Sequence, residues 1–313
     1  MSMHVTAFAP ASIGNVAVGF DMLGLALEGV GDRVSAWRTE SAGITVNEVR
    51  GVDGEIHPYL STDPMQNTAS IAAQSLWDEC GDEGGVELKV LKGVPLQSGM
   101  GSSAASAVAA VVATNALLNQ PLPNEKLLMH ALEGEKYASG GLHADNVAPS
   151  LLGGLVLCPV PLLPRTISLP VLSGVGAVLL HPEMQVSTAQ ARRSLARHYS
   201  MQQWLEQQGY LAAFIAACTN DDIELVRASL KDVVIEPQRA DNVSCFTEVR
   251  VAAMRAGALG CSLSGSGPSI FALAEISHVK NLAIVMEQAC RGIGIECQSW
   301  ISSMNAPGAH IED

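Results

Sequence analysis

Basic residues are scarce in this chain of 313 residues. Lysine and arginine together number 18, only six of them lysine, against 31 aspartates and glutamates, which gives a net charge of −13. Nucleic acids and anionic membrane surfaces are bound through basic side chains, so we expect neither as the main partner. Charged residues make up only 16% of the sequence and apolar residues 48%, which predicts a folded protein rather than a disordered one.

Long apolar runs and a secretion signal are also missing. The longest stretch of small apolar residues, 104–118, is interrupted by Ser106, Thr114 and Asn115. It falls short of the ~20 residues that a membrane-spanning helix needs. The N-terminal MSMHVTAFAPASIGN has neither the basic region nor the apolar block of a signal peptide. We therefore expect a buried core helix at 104–118, no membrane partner and a cytoplasmic location.

Cysteine pairing is not indicated either. The seven cysteines are scattered, odd in number and never in C-x-x-C spacing, which argues against both a disulfide framework and a zinc site. We expect reduced thiols at Cys80, Cys158, Cys218, Cys245, Cys261, Cys290 and Cys297.

Helical and strand patterns alternate along the chain without a regular βαβ period. This predicts an α+β fold with antiparallel pairing rather than a doubly wound sheet. The predicted strands are a meander within 1–50 and segments at 86–91, 153–159, 176–181 and 268–274. The predicted helices are 67–80, one from Ser102, 125–139, several between 187 and 229, and 246–256.

A proline-dense segment, CPVPLLPRTISLP at 158–170, lies near the middle of the chain. Proline fixes φ and lacks a backbone donor, so we expect regular structure to stop here. We place a domain boundary near Pro164, which divides the chain into an N-terminal domain, 1–164, and a C-terminal domain, 165–313.

The string PLQSGMGSSAA at 95–105 follows a predicted strand and precedes a predicted helix. Gly99 and Gly101 permit positive φ, and Ser102 and Ser103 can cap the helix. The N–H groups and dipole of a helix N-terminus favour a bound phosphate, although the string matches neither the Walker A nor the G-x-G-x-x-G pattern. A Gly/Ser turn that only caps a core helix is the alternative, and the full string in this context favours the phosphate site.

Three further segments place polar residues beside glycines. ASIGNVAVGFDMLG at 11–24 contains Asn15 and Asp21, which taken alone are typical turn formers. GLHADNVAP at 141–149 groups His143, Asp145 and Asn146, which indicates a pocket, while one His and one Asp are weak grounds for a metal site. GCSLSGSGPS at 260–269 predicts a tight loop able to lie against a ligand, or a plain hairpin turn.

Together the four motifs, in this order between Ala9 and Pro268, resemble the GHMP kinases, a family of galacto-, homoserine, mevalonate and phosphomevalonate kinases. PLQSGMGSSAA is similar to their ATP-binding signature and GCSLSGSGPSIFAL to their C-terminal glycine loop. ASIGNVAVGFDMLG and HADNVAP are similar to the branch that phosphorylates L-homoserine. The resemblance implies a two-domain α+β fold, an N-terminal domain like ribosomal protein S5 domain 2 and a C-terminal ferredoxin-like α/β sandwich, with the active site in the cleft between them.

The same resemblance implies ATP with Mg²⁺, and transfer of a phosphoryl group to the side-chain hydroxyl of L-homoserine in threonine biosynthesis; it leaves a homodimer open. It implies that Ser103 and Glu135 hold Mg²⁺, with Glu133 as the alternative acid, and that Asn67 lies near the adenine. The residues implied to wrap the triphosphate are Pro95, Leu96, Gln97, Ser98, Gly99, Met100, Gly101, Ser102, Ser103, Ala104 and Ala105.

For homoserine, the resemblance implies that Asp21 or Asp145 accepts hydrogen bonds from the ammonium. It also implies that Thr188, Arg192 and Arg239 bind the substrate carboxylate, whose two oxygens match the forked guanidinium groups. Taken alone, each arginine could equally belong to a surface ion pair. The other residues implied to bind the substrate are Asn15, His143, Asn146 and Gly265.

Three of these residues, Asn146, Asp21 and Arg192, are expected to be catalytic. Some relatives, such as mevalonate kinase, have an aspartate as a candidate base near the position that aligns with Asn146. An amide cannot take up the hydroxyl proton, so we expect Asn146 to orient the hydroxyl and no protein group to act as a strong base.

Two alternatives keep the same fold. The acceptor could be another small hydroxyl compound, such as mevalonate or a sugar, but arginines for a carboxylate together with acids for an ammonium favour an amino acid. The chain could also be a catalytically silent ATP-binding sensor for a partner protein. The intact Ser103, Glu135 and Asn146 argue against that second alternative.

Overall fold

The computed structural model describes residues 4–80 and 83–312. The strands in this part of the chain are β1 (His4–Gly14), β2 (Leu23–Thr39), β3 (Gly43–Arg50), β4 (Gly85–Leu91), β5 (Leu155–Leu157), β6 (Ile167–Leu169), β7 (Val175–Pro182), β8 (Gly260–Leu263), β9 (Ile270–Glu275), β10 (Cys297–Ser303) and β11 (His310–Glu312). The helices are α1 (Thr68–Cys80), α2 (Ser102–Ala116), α3 (Asn124–Ser139), α4 (Ala144–Leu152), α5 (Thr188–Arg193), α6 (Met201–Asn220), α7 (Ile223–Ser229), α8 (Glu236–Arg239), α9 (Phe246–Arg255) and α10 (Val279–Gly292).

The first sheet has the order β11-β1-β2-β4-β3, with β5 paired to β2 and β6 paired to β5. Its pairs are antiparallel except β3–β4, which is parallel. The predicted meander is therefore wrong for the third strand, because β3 pairs with β4 and not with β2. The predicted loss of regular structure in the proline-rich segment is wrong for β6, which lies between Pro164 and Pro170 and contains no proline itself.

Four helices, α1 to α4, pack with the first sheet around one core. Helix α2 is buried over almost its whole length, because its alanines and valines let it lie close to the sheet and to its neighbouring helices. The predicted buried helix after Ser102 is thereby confirmed. In the described ranges, no helix combines the length and apolar character that crossing a membrane would require.

The second sheet is antiparallel throughout and has the order β10-β7-β9-β8. With helices between β7 and β8 and α10 between β9 and β10, this is the ferredoxin-like arrangement that was predicted. Alternate residues of β7 face different cores: Val178 and Leu180 pack with α9 and α10, whereas Ala177 and Leu179 pack with α6 and the first sheet. The α+β fold is confirmed, and no disulfide joins cysteines of the described residues.

The end of the described chain returns to the first sheet. Strand β11 pairs with β1, and the Ala309 N–H donates to the Ser150 carbonyl over 2.9 Å. Strand β6, also beyond Pro164, extends the first sheet. The domain boundary near Pro164 stays a prediction, and both sheets share one of the apolar cores.

Candidate active site

A cleft of about 400 Å³ lies where the loop before α2, the start of α4 and the loop between β8 and β9 come together. The structure brings all of the residues predicted to bind the acceptor substrate into this cleft. Those lining residues are Asn15, Asp21, His143, Asp145, Asn146, Thr188, Arg192, Arg239 and Gly265, and Asn67, Ser103 and Glu135 line it as well.

The first glycine loop, residues 92–101, leads into α2 in the conformation that the sequence predicts. Gly99 and Gly101 have φ values of 75° and 67°, in the left-handed region that favours glycine. The predicted capping by serine is wrong, because the Ser102 hydroxyl donates to the Val94 carbonyl (2.9 Å) and the Ser103 hydroxyl to Glu135 Oε2 (2.6 Å). In the described part of the chain, the first turn of α2 therefore has no side-chain cap, which leaves its N–H donors to an anion in the cleft.

Hydrogen bonds from β1 and from the second glycine loop, residues 264–269, hold the first glycine loop. The Ser12 N–H donates to the Met100 carbonyl over 3.0 Å, and the Ser264 hydroxyl donates to the Gly99 carbonyl over 2.6 Å. The second loop joins β8 to β9 as a hairpin and also borders the cleft at Gly265 and Ser266. The predicted hairpin turn is thus confirmed, and contact of this loop with a ligand stays a prediction.

Beneath the first glycine loop lies a buried polar cluster that sequence reasoning missed. Lys92 Nζ donates to Asp32 Oδ2, to the Ser102 carbonyl (2.7 Å) and to Ser106 Oγ (2.9 Å). Asp32 Oδ1 accepts from the N–H groups of the loop residues 93 and 94. The cluster ties β2, the start of the loop and the first turn of α2 together. The available signal was a lysine placed directly before a loop that is otherwise free of charge.

Glu135 is the acid that reaches the cleft. It is buried, and its Oε1 lies 3.6 Å from His143 Nδ1. Glu133, the alternative acid, is exposed and lies 3.8 Å from Lys136 instead. Burial alone would lower the pKa of His143, but the hydrogen bond to Glu135 and the charges of Asp145 and Glu135 outweigh it and raise that pKa above its ordinary value.

An ion pair and a lone acid form the polar centre of the cleft. Arg192 Nη2 donates to both carboxylate oxygens of Asp21 (2.6 and 2.8 Å) and lies 2.9 Å from His143 Nε2. Asp145 Oδ2 accepts from the Asn15 N–H (3.2 Å), while its buried Oδ1 has no hydrogen-bond partner in the described chain. Burial, together with the nearby charge of Asp21, raises the pKa of Asp145 to about 7. Asp145 is therefore an acceptor that lacks a cation.

The turn between β1 and β2 carries unusual backbone conformations. Asn15, Val16 and Ala17 have φ values of 68°, 43° and 57°, and Asp21 has 57°. Positive φ is costly for residues other than glycine and is typical of functional sites. The Asp21 N–H donates to Asn15 Oδ1 (3.1 Å), so Asn15 is both the turn former and the cleft residue that the sequence predicts.

Arg239, unlike Arg192, is buried. Its Nη1 donates to the Gly265 carbonyl (2.9 Å), which also accepts from Asn15 Nδ2 (3.1 Å). Its buried Nε has no partner in the described residues, and burial lowers its pKa. Nearby, Thr188 Oγ1 lies 3.2 Å from Ser266 Oγ.

Asn146 and Asn67 are both fixed by neighbouring groups. Asn146 Oδ1 accepts from the Ser12 hydroxyl (3.0 Å), a contact that sequence reasoning missed. Asn67 Oδ1 accepts from the Ala69 N–H at the start of α1, and its side chain borders an apolar part of the cleft with Val49 and Val90. Of the loop residues predicted to wrap a triphosphate, three lie with their side chains in the apolar cores instead: Met100, Ala104 and Ala105.

Comparison with known proteins agrees with this geometry. The family models for the GHMP kinases N terminal domain and the GHMP kinases C terminal domain match residues 67–154 and 213–289. A homoserine kinase of Xanthomonas campestris pv. campestris is 42% identical over 306 residues, which cover 97% of this chain and 93% of the relative. The crystal structure of a homoserine kinase from Cytophaga hutchinsonii superposes with a TM-score of 0.94 at 37% identity, covering 100% of this chain and 98% of that one. A Lactococcus lactis galactokinase shares the fold, with a TM-score of 0.69 at 16% identity over 98% of this chain and 95% of that one.

Proposed function

The chain belongs to the GHMP kinase family, among the homoserine kinases, and we propose that the cleft described above is where it transfers the γ-phosphoryl group of ATP to the side-chain hydroxyl of L-homoserine, on the route to threonine. One observation carries this proposal. The same cleft contains an uncapped helix N-terminus beside Ser103 and Glu135, and a cluster of two arginines and two aspartates suited to an amino acid.

Backbone groups hold the triphosphate in this proposal. The segment 93–105 carries no charged side chain, so the N–H donors of the first turn of α2 and the positive end of its dipole face the phosphates. The apolar part of the cleft near Asn67, with Val49 and Val90, would take the adenine. The acidic net charge of the chain does not prevent ATP binding, because the local field at the helix N-terminus determines whether an anion binds there.

Ser103 and Glu135 would hold Mg²⁺. Their oxygens lie 2.6 Å apart at the edge of the cleft, and oxygen donors of this kind suit a hard dication. The bound ion would neutralise the charge that develops on the phosphoryl group, as in other phosphoryl transfers. Glu133, exposed and directed to Lys136, is not placed for this role.

The amino-acid substrate would fit the polar centre of the cleft. The unpartnered Oδ1 of Asp145 suits the ammonium, and Asp21 is a second acceptor. Arg192 already holds a carboxylate, that of Asp21, and the partnerless Nε of buried Arg239 is a free donor in the described chain. These two arginines would bind the substrate carboxylate, which neither a neutral sugar nor an uncharged alcohol offers.

Asn146 would orient the hydroxyl that is phosphorylated. The Ser12 hydroxyl occupies its Oδ1, which fixes the amide and leaves Nδ2 as a donor. With no strong base at this position, the hydroxyl proton leaves to a phosphate oxygen or to water. Catalysis then consists of positioning and charge neutralisation, with Asp21 and Arg192 aligning the substrate.

A cytoplasmic location and a homodimer complete the proposal. The absence of a disulfide among the cysteines of the described residues supports a reducing compartment. The homodimer follows from resemblance to the family alone, and light scattering of the purified chain tests it.

One assay tests the reaction. The purified protein with Mg-ATP is offered L-homoserine, L-serine, L-threonine, mevalonate and galactose in turn, and ADP release is followed. We expect turnover with L-homoserine far above the rest. Turnover with mevalonate or galactose alone would move the proposal to another acceptor. ATP binding without turnover on any acceptor would identify a silent nucleotide sensor.

A further inference from the structure

Phe20 contacts both arginines of the cleft. The guanidinium carbon of Arg239 lies 5.2 Å from the centroid of the Phe20 ring, and that of Arg192 lies 5.4 Å from it. Both distances fall within the ~6 Å over which a cation is attracted to an aromatic face. The mechanism proposed above assigns no role to Phe20 and so does not explain why its ring contacts both arginines.

Few contacts in the described residues hold the two arginines. Burial lowers the pKa of Arg239 and so does the like charge of Arg192, and together they outweigh the charges of Asp21, Asp232 and Asp145, which favour the cation. The Arg239 hydrogen bond to the Gly265 carbonyl leaves its Nε without a partner in the described residues. Arg192 is held mainly by Asp21, the carboxylate that we propose as the second acceptor for the substrate ammonium.

We propose that Phe20 is a positioning residue that keeps Arg192 and Arg239 directed at the substrate carboxylate, above all when Asp21 turns to the ammonium. This inference rests on the proposed function. The ring attracts both guanidinium groups without using any of their N–H donors, so this contact does not compete with the substrate carboxylate for a donor. A hydrogen-bonding residue at the same place would compete with the carboxylate instead.

The Phe20 ring is carried by the turn between β1 and β2. Phe20 directly precedes Asp21, whose N–H donates to Asn15 Oδ1. The turn from Asn15 to Asp21 begins with three residues of positive φ, 15–17. The position of the ring is therefore fixed by the same turn that supplies Asn15 and Asp21. A leucine would fill similar space but has no aromatic face to attract a cation.

Replacing Phe20 by leucine and by tyrosine tests the inference, with Phe8→Leu as the matched control. Phe8 is half-buried like Phe20 and contacts one arginine, Arg33, at 4.9 Å, on β1 away from the cleft. We expect Phe20→Leu to raise the KM for L-homoserine about tenfold, with the KM for ATP and kcat within about twofold. We expect Phe20→Tyr to restore the KM and Phe8→Leu to leave it unchanged.

A second readout separates positioning from general packing. 4-Hydroxybutyrate keeps the carboxylate of homoserine and lacks its ammonium, whereas 3-aminopropan-1-ol keeps the ammonium and lacks the carboxylate. Calorimetry should show the first compound losing affinity for Phe20→Leu and the second binding both proteins alike. Should the leucine variant fail to fold, Phe20→Met takes its place in both experiments.

The outcomes are distinct. An unchanged KM for homoserine in Phe20→Leu, equal losses for both compounds, or no rescue by tyrosine would overturn the role of Phe20 while leaving the kinase intact. Absence of homoserine turnover in the wild-type protein would overturn the proposed function and this inference with it.

Discussion

The hydroxyl of Ser103 donates a 2.6 Å hydrogen bond to Glu135 Oε2 and so joins the first turn of α2 to α3 at the edge of the cleft. The acid is buried at this point and also lies beside His143. A buried carboxylate next to a helix N-terminus would be attracted by the same dipole that attracts a phosphate. A cation between the Glu135 carboxylate and a phosphate would allow both anions to occupy the site.

Glu135→Gln should lower kcat by about 100-fold or more, because the amide cannot neutralise a metal ion. Glu133→Gln, two residues away and exposed, is the control and should behave like the wild-type protein. ADP release over a range of free Mg²⁺ measures both, together with ATP binding with and without the metal. Tight binding of metal-free ATP, or equal losses in the two variants, would contradict the assignment of Glu135.

Asn146→Asp tests whether a base is missing from the site. We expect kcat to fall, because the new carboxylate stands next to Asp145 and can no longer donate to the hydroxyl. The pH profile of kcat should gain no acidic limb. An increase in kcat with such a limb would show that a base contributes here, an effect that reaches ~100-fold or more where one operates.

Asp145→Asn should stabilise the protein at pH 8 while weakening its binding of L-homoserine. The pKa of Asp145 is about 7 in the folded chain, against ~3.9 when unfolded. Between these values the folded state holds a proton that the unfolded state does not, so Asp145 costs stability increasingly as the pH rises toward 7. The asparagine removes that cost and can still accept from the Asn15 N–H.

Thermal unfolding of both proteins at pH 5 and pH 8 measures this difference. The gain in Tm should be larger at pH 8, where the wild-type carboxyl is charged, than at pH 5, where it is protonated. Asp21, His143 and Glu135 face the same carboxyl and are retained in both proteins. A gain that does not depend on pH, or one that is larger at pH 5, would contradict the prediction.

Lys92→Met should destabilise the fold by ~3–5 kcal/mol, because it leaves Asp32 charged and buried without a cation. Adding Asp32→Asn should recover part of that loss, since the amide still accepts from the N–H groups of the loop. Lys89→Met, three residues earlier on β4 and in a partly exposed pair with Glu48, is the control and should change less. Urea unfolding measures all three, and a Lys92 variant as stable as the Lys89 variant would count against the buried cluster.

Gly24→Ala should displace the start of α4 and lower kcat. A Cβ at Gly24 would lie 1.8 Å from the carbonyl oxygen of Asp145, a backbone atom that cannot move aside alone. Gly209→Ala, in the exposed face of α6 with open space around it, is the control. It should raise stability by about 1 kcal/mol, as expected for glycine in a helix. Kinetics of both variants, with unfolding curves, give the comparison, and normal kcat in Gly24→Ala would contradict the close packing.

Much of this site was predictable, because its residues lie in motifs of consecutive positions. The sequence around Gly99 and Gly101 predicts their backbone conformation, and the cluster at 143–146 predicts a pocket, since short-range patterns determine turns and helix starts. The predicted caps failed at Ser102 and Ser103 for a different reason. Their hydroxyls bond to Val94 and Glu135, and the second of these partners is distant in sequence and becomes a neighbour only on folding.

Long-range pairings were beyond sequence reasoning for the same reason. Nothing near Asp32 indicates that Lys92 will lie against it, or that Phe20 will contact two arginines more than 170 positions further along the chain. The parallel pairing of β3 with β4 was likewise invisible, because periodicity reports which face of a strand is buried and not which strand is its neighbour.

The outer edge of β1 is covered only by β11, so this edge stays unpaired until the end of the described chain has been synthesised. While the ribosome is still extending the chain, the outer edge of β1 stays uncovered, and such an edge is a template for pairing with other chains. Contacts between the two ends of a sequence also form slowly. A fragment that stops before β11 would leave this edge of β1 uncovered, and we expect it to aggregate more readily than the full chain.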